Sequence, residues 1–144
     1  NQAYKIIYPS QSAQQVVTQA DTGSFIMIKD LAELQQAVAV ANQQGKSVMV
    51  DLYADWCIAC KEFEHYTFNT PQVQKALDNT VLIQIDMTEF DSPKNAELEQ
   101  YYQVLGLPSI LFFNVEGDEL VKQRITGFMD ADAFAKHVNT ILKK

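Results

Sequence analysis

The chain has few basic residues, and this scarcity limits what it can bind. Its 144 residues include 11 Lys and Arg against 18 Asp and Glu, which gives a formal net charge of −7 at pH 7. Surfaces that bind nucleic acid or anionic lipid neutralise phosphates with clustered Lys and Arg, and the sequence has no such cluster. We therefore expect its partners to be proteins and not nucleic acid.

Long apolar runs are also missing. No stretch approaches the roughly 20 apolar residues that a membrane-spanning helix needs. The N-terminus has no basic region followed by an apolar core, which is the pattern of a signal peptide. We expect no direct membrane insertion of this chain. Since it begins at Asn1 without Met, we also expect it to be a processed or excised piece of a longer protein.

Glycine and proline are sparse, with five Gly and four Pro, which excludes a low-complexity or collagen-like chain. No glycine-rich phosphate loop is present, so a nucleotide cofactor is not expected. Because 47% of the residues are hydrophobic, the chain can bury one sizeable core. Residues 1–24 are rich in Gln, Ser and Ala and are predicted to be a linker or N-terminal extension, and 25–144 to be one domain.

Cysteine is scarce too, but its two copies lie close together as Cys57 and Cys60. They follow Val48–Tyr53, an apolar run that predicts a buried strand, and good helix formers come after them. The unpaired N–H groups of a first helical turn favour a thiolate, so Cys57 is predicted to be the attacking thiol. Cys60, one turn deeper, would be the resolving thiol of a redox-active disulfide.

Three other interpretations of the cysteine pair remain open. A zinc site would need further ligands, but there is no second CxxC, and His65 and His137 lack a ligand spacing. We therefore predict no metal, and His65 is interpreted as a surface residue. A purely structural disulfide would close too short a loop to stabilise the fold much. Two unrelated buried cysteines are the third possibility.

Hydrophobic periodicity and turn signals predict a mixed sheet with helices on both of its faces, an α/β fold. The predicted strands are 25–28, 48–53, 81–86, 110–114 and 120–126, the last two as a hairpin. The predicted helices are 31–44, one beginning at the CxxC, 71–77, 93–103 and one after Asp130.

This order, with Ala54-x-Trp56-Cys57-x-x-Cys60-Lys61 after the central strand, resembles the thioredoxin fold over about residues 25–142. More closely, the chain is similar to the C-terminal periplasmic domains of the DsbD family, which are inner-membrane thiol:disulfide interchange proteins. The segments that carry this similarity are 51–64, 66–68, 71–74, 104–113 and 126–130.

The resemblance implies a protein-disulfide reductase without a cofactor other than its own disulfide. It would take electrons from a membrane-embedded domain and pass them to a periplasmic acceptor domain, both through transient mixed disulfides. The implied location is the periplasmic side of a bacterial inner membrane. Two alternatives stay open: a free-standing thioredoxin-like reductase of many protein disulfides, for example in cytochrome maturation, and a non-enzymatic thioredoxin-like binding module.

Two acidic residues are candidates for a role beside the cysteines. Asp51 lies inside the apolar strand, where burial would raise the pKa of its carboxyl, and it matches the buried acid of thioredoxins, implying proton handling. Glu64 follows Cys60 by four residues and Cys57 by seven, so on a helix it shares a face with both. Two interpretations stay open, a functional charge and a solvated charge on the helix surface. Two acids near Cys57 would oppose thiolate formation, which predicts a restrained nucleophile.

A partner-binding surface is predicted around the cysteines. The resemblance places Pro108 in a cis-proline loop beside the CxxC, with Leu107 before it where other branches commonly have Thr or Val. Trp56 is predicted to form an apolar docking rim, together with Tyr53 unless the latter packs in the core. The absence of His between the cysteines, where Ile58 and Ala59 stand, favours a reductant.

Overall fold

The computed structural model describes residues 25–142, and the predicted linker 1–24 lies outside them. In chain order the elements are β1 (Ile26–Met27), α1 (Leu31–Gln43), β2 (Ser47–Tyr53), α2 (Ile58–Tyr66), α3 (Pro71–Ala76), β3 (Thr80–Asp86), α4 (Pro93–Tyr102), β4 (Ser109–Phe113), a 3-10 turn (Val121–Gln123) and α5 (Ala131–Ile141). No helix within this part of the chain is long and apolar enough to cross a membrane.

The sheet has the strand order β1-β3-β2-β4. Strands β1, β3 and β2 run parallel, and β4 runs antiparallel to β2. The register sets Asp51 of β2 between Gln84 of β3 and Ile110 of β4. The predicted mixed sheet is therefore confirmed, and β2, which leads into the CxxC, is a central strand.

Both faces of the sheet are covered by helices, as predicted. Because side chains alternate along a strand, Val48, Val50 and Leu52 face one way and pack with α1 and α4. Met49 faces the other way and packs with α2, α3 and α5. Asp51 lies two residues after Met49 in the same strand, so both side chains point to the same face of the sheet. The Asp51 carboxyl therefore lies on the face that α2 covers.

The predicted hairpin is wrong in its second half. After β4 the chain makes two isolated bridges, Ile110 with Ile125 and Phe113 with Glu119, instead of a continuous strand over 120–126. The 3-10 turn between these bridges takes the backbone out of the extended conformation. The Arg124 guanidinium then donates to the Glu119 carboxylate and to the carbonyl of Tyr102 at the end of α4. These side-chain contacts replace part of the expected ladder.

Candidate active site

Cys57 and Cys60 are joined as a disulfide at the start of α2, with their Cα atoms 5.3 Å apart. Cys57 has extended backbone and is the N-cap of the helix, so Cys60 lies in the first turn. The N–H of Cys60 donates to the Cys57 sulfur over 3.1 Å. The predicted strand-to-helix junction is present, and the helix already directs an N–H group at the sulfur that is predicted to attack.

The two cysteines differ little in exposure, at 5% for Cys57 and 3% for Cys60. Burial alone therefore does not rank them, and the assignment of attacker and resolver stays a prediction based on position in the helix. Their neighbours are much more open, with Trp56 56% and Ile58 75% exposed. The apolar surface that is exposed beside the cysteines is therefore that of Trp56 and Ile58.

The Trp56 side chain is held against a neighbouring loop and does not pack in the core. Its indole N–H donates to the carbonyl oxygen of Thr88 over 3.0 Å. The backbone N–H of Asp55 donates to the hydroxyl of the same threonine over 2.9 Å. Sequence reasoning missed Thr88, because the contact joins residues more than thirty positions apart and depends on how the ends of β2 and β3 align.

Asp51 is 2% exposed, and one of its carboxyl oxygens accepts a hydrogen bond from the Gln84 side-chain amide over 3.1 Å. Burial raises the pKa of Asp51 to about 7, and the negative charge of Glu64 adds to the increase, while the Gln84 hydrogen bond opposes it. The predicted rise in the Asp51 pKa is thus found. Gln84 was not predicted, since its pairing with Asp51 depends on the register of β2 and β3.

Glu64 is exposed on α2, yet its charge acts on the buried part of the site. Besides Asp51, it affects Tyr53, whose pKa is raised first by burial and then by the surrounding carboxylates. Tyr53 is partly buried and packs against the cysteines, together with Leu107. Tyr53 therefore packs beside the cysteines, and the docking rim stays a prediction for Trp56.

The loop before β4 completes the site. The Leu107–Pro108 peptide bond is cis, as the resemblance implies. Leu107 packs on the cysteines and Pro108 is buried beside it. A groove runs along this loop, with the exposed Leu105 and the Arg124 side chain in its lining. The structure thus packs Leu107 against the cysteine pair, and the same residue lines the open groove along this loop.

His65 is exposed on α2, in agreement with its interpretation as a surface residue. His137 lies elsewhere, with its ring nitrogen 2.9 Å from the carbonyl oxygen of Gln123. Among residues 25–142, no three or more Cys, His, Asp or Glu side chains are grouped so that they could hold a metal ion.

Comparison with known proteins agrees with this geometry. Residues 34–142 match the family model of a thioredoxin-like domain. The thiol:disulfide interchange protein DsbD of Colwellia psychrerythraea is 61% identical over 143 residues, which are 99% of this chain and 23% of that protein. DsbD of Escherichia coli K12 is 54% identical over 115 residues, 80% of this chain and 20% of that protein. The chain therefore spans less than a quarter of the length of these relatives.

A solved structure is matched over nearly its whole length. The crystal structure of the C-terminal domain of Neisseria meningitidis DsbD in the oxidised form superposes with a TM-score of 0.69 and 33% identity. The match covers 80% of this chain and 98% of that domain. The chain belongs to the thioredoxin-like family and, within it, to the C-terminal thiol-disulfide exchange domains of the DsbD proteins.

Proposed function

We propose that this domain is an electron relay that receives two electrons from a membrane-embedded domain and passes them to a periplasmic acceptor domain. The observation that carries the proposal is the Cys57–Cys60 disulfide at the N-cap of α2, where the helix directs an N–H group at the Cys57 sulfur. Residues 1–24 would connect the domain to the membrane-embedded section, and 25–144 would form the domain itself. The location would be the periplasm, by analogy with the family.

The transfer takes place in two exchange steps. The Cys57 thiolate attacks one sulfur of the partner disulfide, so that a mixed disulfide forms and the other partner sulfur leaves as a thiolate. The Cys60 thiolate then attacks the Cys57 sulfur. The Cys57–Cys60 disulfide forms, the second partner sulfur leaves, and the partner has gained two electrons. Thiols of the upstream domain reverse these steps to reduce the pair again.

Asp51 is proposed to handle the proton of the inner thiol. A carboxyl with a pKa of about 7 can take up or release a proton near neutral pH, which one at its ordinary value of 3.8 does not do. Asp51 also lies on the face of the sheet that α2 covers, below the helix that carries Cys60. Together with Glu64, it would oppose the formation of a Cys57 thiolate in the free domain.

Trp56, Leu107 and Pro108 are proposed to contact the partner. Trp56 is exposed next to Cys57, and Leu107 packs against the cysteines and lines the groove. The few residues that contribute most of the binding energy of an interface are enriched in Trp, Tyr and Arg, so Trp56 is the expected anchor. Docking there would also change the charges and the water around the cysteines, and in this way a partner would alter the reactivity of Cys57.

Exchange activity is tested by mixing the reduced domain with a model protein disulfide, separating the two proteins, and counting the thiols that appear on the substrate. We expect one disulfide reduced per domain, and no reduction by the Cys57→Ser variant. A parent domain that releases no substrate thiols would contradict the proposal, and would leave a binding module as the better interpretation of the fold.

The relay is distinguished from a general reductase by partner preference. The rate of reduction is compared between the oxidised N-terminal periplasmic domain of a DsbD relative and oxidised insulin, at equal concentrations. A relay should reduce the DsbD domain at least about a hundredfold faster, because complementary surfaces raise productive encounters well above those of a non-cognate pair. Equal rates would favour the free-standing reductase.

A further inference from the structure

Thr88 lies in the loop that follows β3 and contacts the segment just before Cys57. Its hydroxyl accepts a hydrogen bond from the N–H of Asp55 over 2.9 Å. Its carbonyl oxygen accepts one from the Trp56 indole N–H over 3.0 Å. One residue therefore holds both the backbone and the exposed aromatic side chain that precede the reactive sulfur.

Thr88 is itself held in place by hydrogen bonds to Asp86. One carboxyl oxygen of Asp86 accepts from both the N–H and the hydroxyl of Thr88, the former over 2.9 Å. Because the hydroxyl proton is directed at Asp86, the lone pairs of that hydroxyl are free to face Asp55. The N–H of Met87 donates to the carbonyl of Tyr53 over 2.6 Å, which fastens the two strand ends together. The ladder of β2 and β3 thus continues into side-chain contacts at the site.

These hydrogen bonds restrain the turn from Ala54 to Cys57, in which the Trp56 ring is largely exposed. Trp56 is 56% exposed, so packing alone does not restrain its ring. The N–H of Cys57 donates to the carbonyl of Ala54 over 3.1 Å, a tight turn whose orientation depends on the residues inside it. Small displacements of a reacting group can cost large factors in rate.

We propose that Thr88 is a positioning residue for disulfide exchange, acting through Trp56 and Cys57. This inference rests on the proposed exchange function. Thr88 holds the indole as a preformed contact surface and holds the turn that carries the attacking sulfur. A partner then meets an ordered surface and does not have to order it on binding.

The test uses three variants of the domain. Thr88→Val keeps the branched shape and removes the hydroxyl, whereas Thr88→Ser keeps the hydroxyl. Thr140→Val is the matched control, because Thr140 is an exposed α5 residue whose hydroxyl donates within its own helix, to the carbonyl of Lys136. Trp56 is the only tryptophan of the chain, so acrylamide quenching of its fluorescence reports on the site alone.

The second-order rate of reduction of a protein disulfide is measured for each reduced variant, and quenching for each oxidised variant. We expect Thr88→Val to slow reduction about fivefold to tenfold and to raise the quenching constant about twofold. Val loses both hydrogen bonds of the hydroxyl, from the Asp55 N–H and to the Asp86 carboxylate, so the loop whose carbonyl holds the Trp56 indole is less firmly placed. Thr88→Ser and Thr140→Val should stay within about twofold of the parent rate, because both variants keep the hydrogen bonds of the hydroxyl at position 88 with Asp55 and Asp86.

Three outcomes would overturn the inference. These are a Thr88→Val rate within twofold of the parent, an unchanged quenching constant, or a Thr88→Ser variant as slow as Thr88→Val. In each case the parent domain still reduces the disulfide, and the proposed function stands. If instead the parent itself reduces nothing, the proposed function fails, and this inference fails with it.

Discussion

Replacing Asp51 by Asn is expected to make the oxidised domain more stable at neutral and alkaline pH. Asp51 is buried in β2, and its carboxyl must lose its hydration to ionise there. Asn has nearly the same shape, carries no charge, and can still accept the hydrogen bond from Gln84. The substitution therefore removes the cost of the buried charge and keeps the packing.

The size and sign of the effect follow from the pKa of about 7 in the fold, against an ordinary value of 3.8. Well below pH 3.8, the carboxyl is protonated in both the folded and the unfolded state, and no charge has to be buried. Between pH 4 and 7 the unfolded carboxyl ionises first, so the free energy of unfolding falls by about 1.4 kcal/mol per pH unit. Above pH 7 the loss reaches its full value, on the order of 4 kcal/mol.

The assay is urea unfolding of the oxidised parent and the Asp51→Asn variant at several pH values from 4 to 9. The stability gain of the variant should be small at pH 4, grow through pH 7 and level off above pH 8. Asp78→Asn, which removes an exposed carboxylate beyond α3, should leave the pH dependence of the parent intact. A gain from Asp51→Asn that is the same at every pH would refute the assignment of a buried carboxyl whose pKa is raised to about 7.

Three further changes have defined outcomes. Glu64→Gln should lower the pKa of Asp51 from about 7 but leave it well above 3.8, since burial is the larger cause, and NMR titration of the Asp51 carboxyl carbon checks this. Gly117→Ala should lower the free energy of unfolding by about 1–3 kcal/mol in urea titrations, because φ is +89° and an added Cβ would lie 2.6 Å from the Asn42 side-chain oxygen. Phe63→Ala should cost about 3–5 kcal/mol in the same assay, since the ring is fully buried against three other phenylalanines.

The features that could be predicted from the sequence are those encoded locally. The apolar run 48–53 predicts a buried strand, and it is the central strand of the sheet. The helix formers after the CxxC predict that the cysteines lie at a helix start, and Cys57 is the N-cap of α2. A carboxylate inside such a strand is desolvated wherever the strand is covered, so the raised pKa of Asp51 was predictable before its neighbours were known.

The features that could not be predicted depend on contacts between distant segments. Gln84 reaches Asp51, and Thr88 reaches Trp56, only because β2 and β3 align in one particular register. The predicted strand 120–126 was wrong for a similar reason. Its pattern is extended, but the 3-10 turn and the contacts of Arg124 with α4 break the ladder.

The central claim is that Cys57 attacks and Cys60 resolves. The most direct measurement is mass spectrometry of the reduced Cys60→Ser and Cys57→Ser variants after reaction with an oxidised protein partner. Cys60→Ser should accumulate a stable mixed disulfide through Cys57, because no resolving thiol remains, and Cys57→Ser should accumulate almost none. A mixed disulfide that forms equally well through Cys60 in the Cys57→Ser variant would contradict the claim.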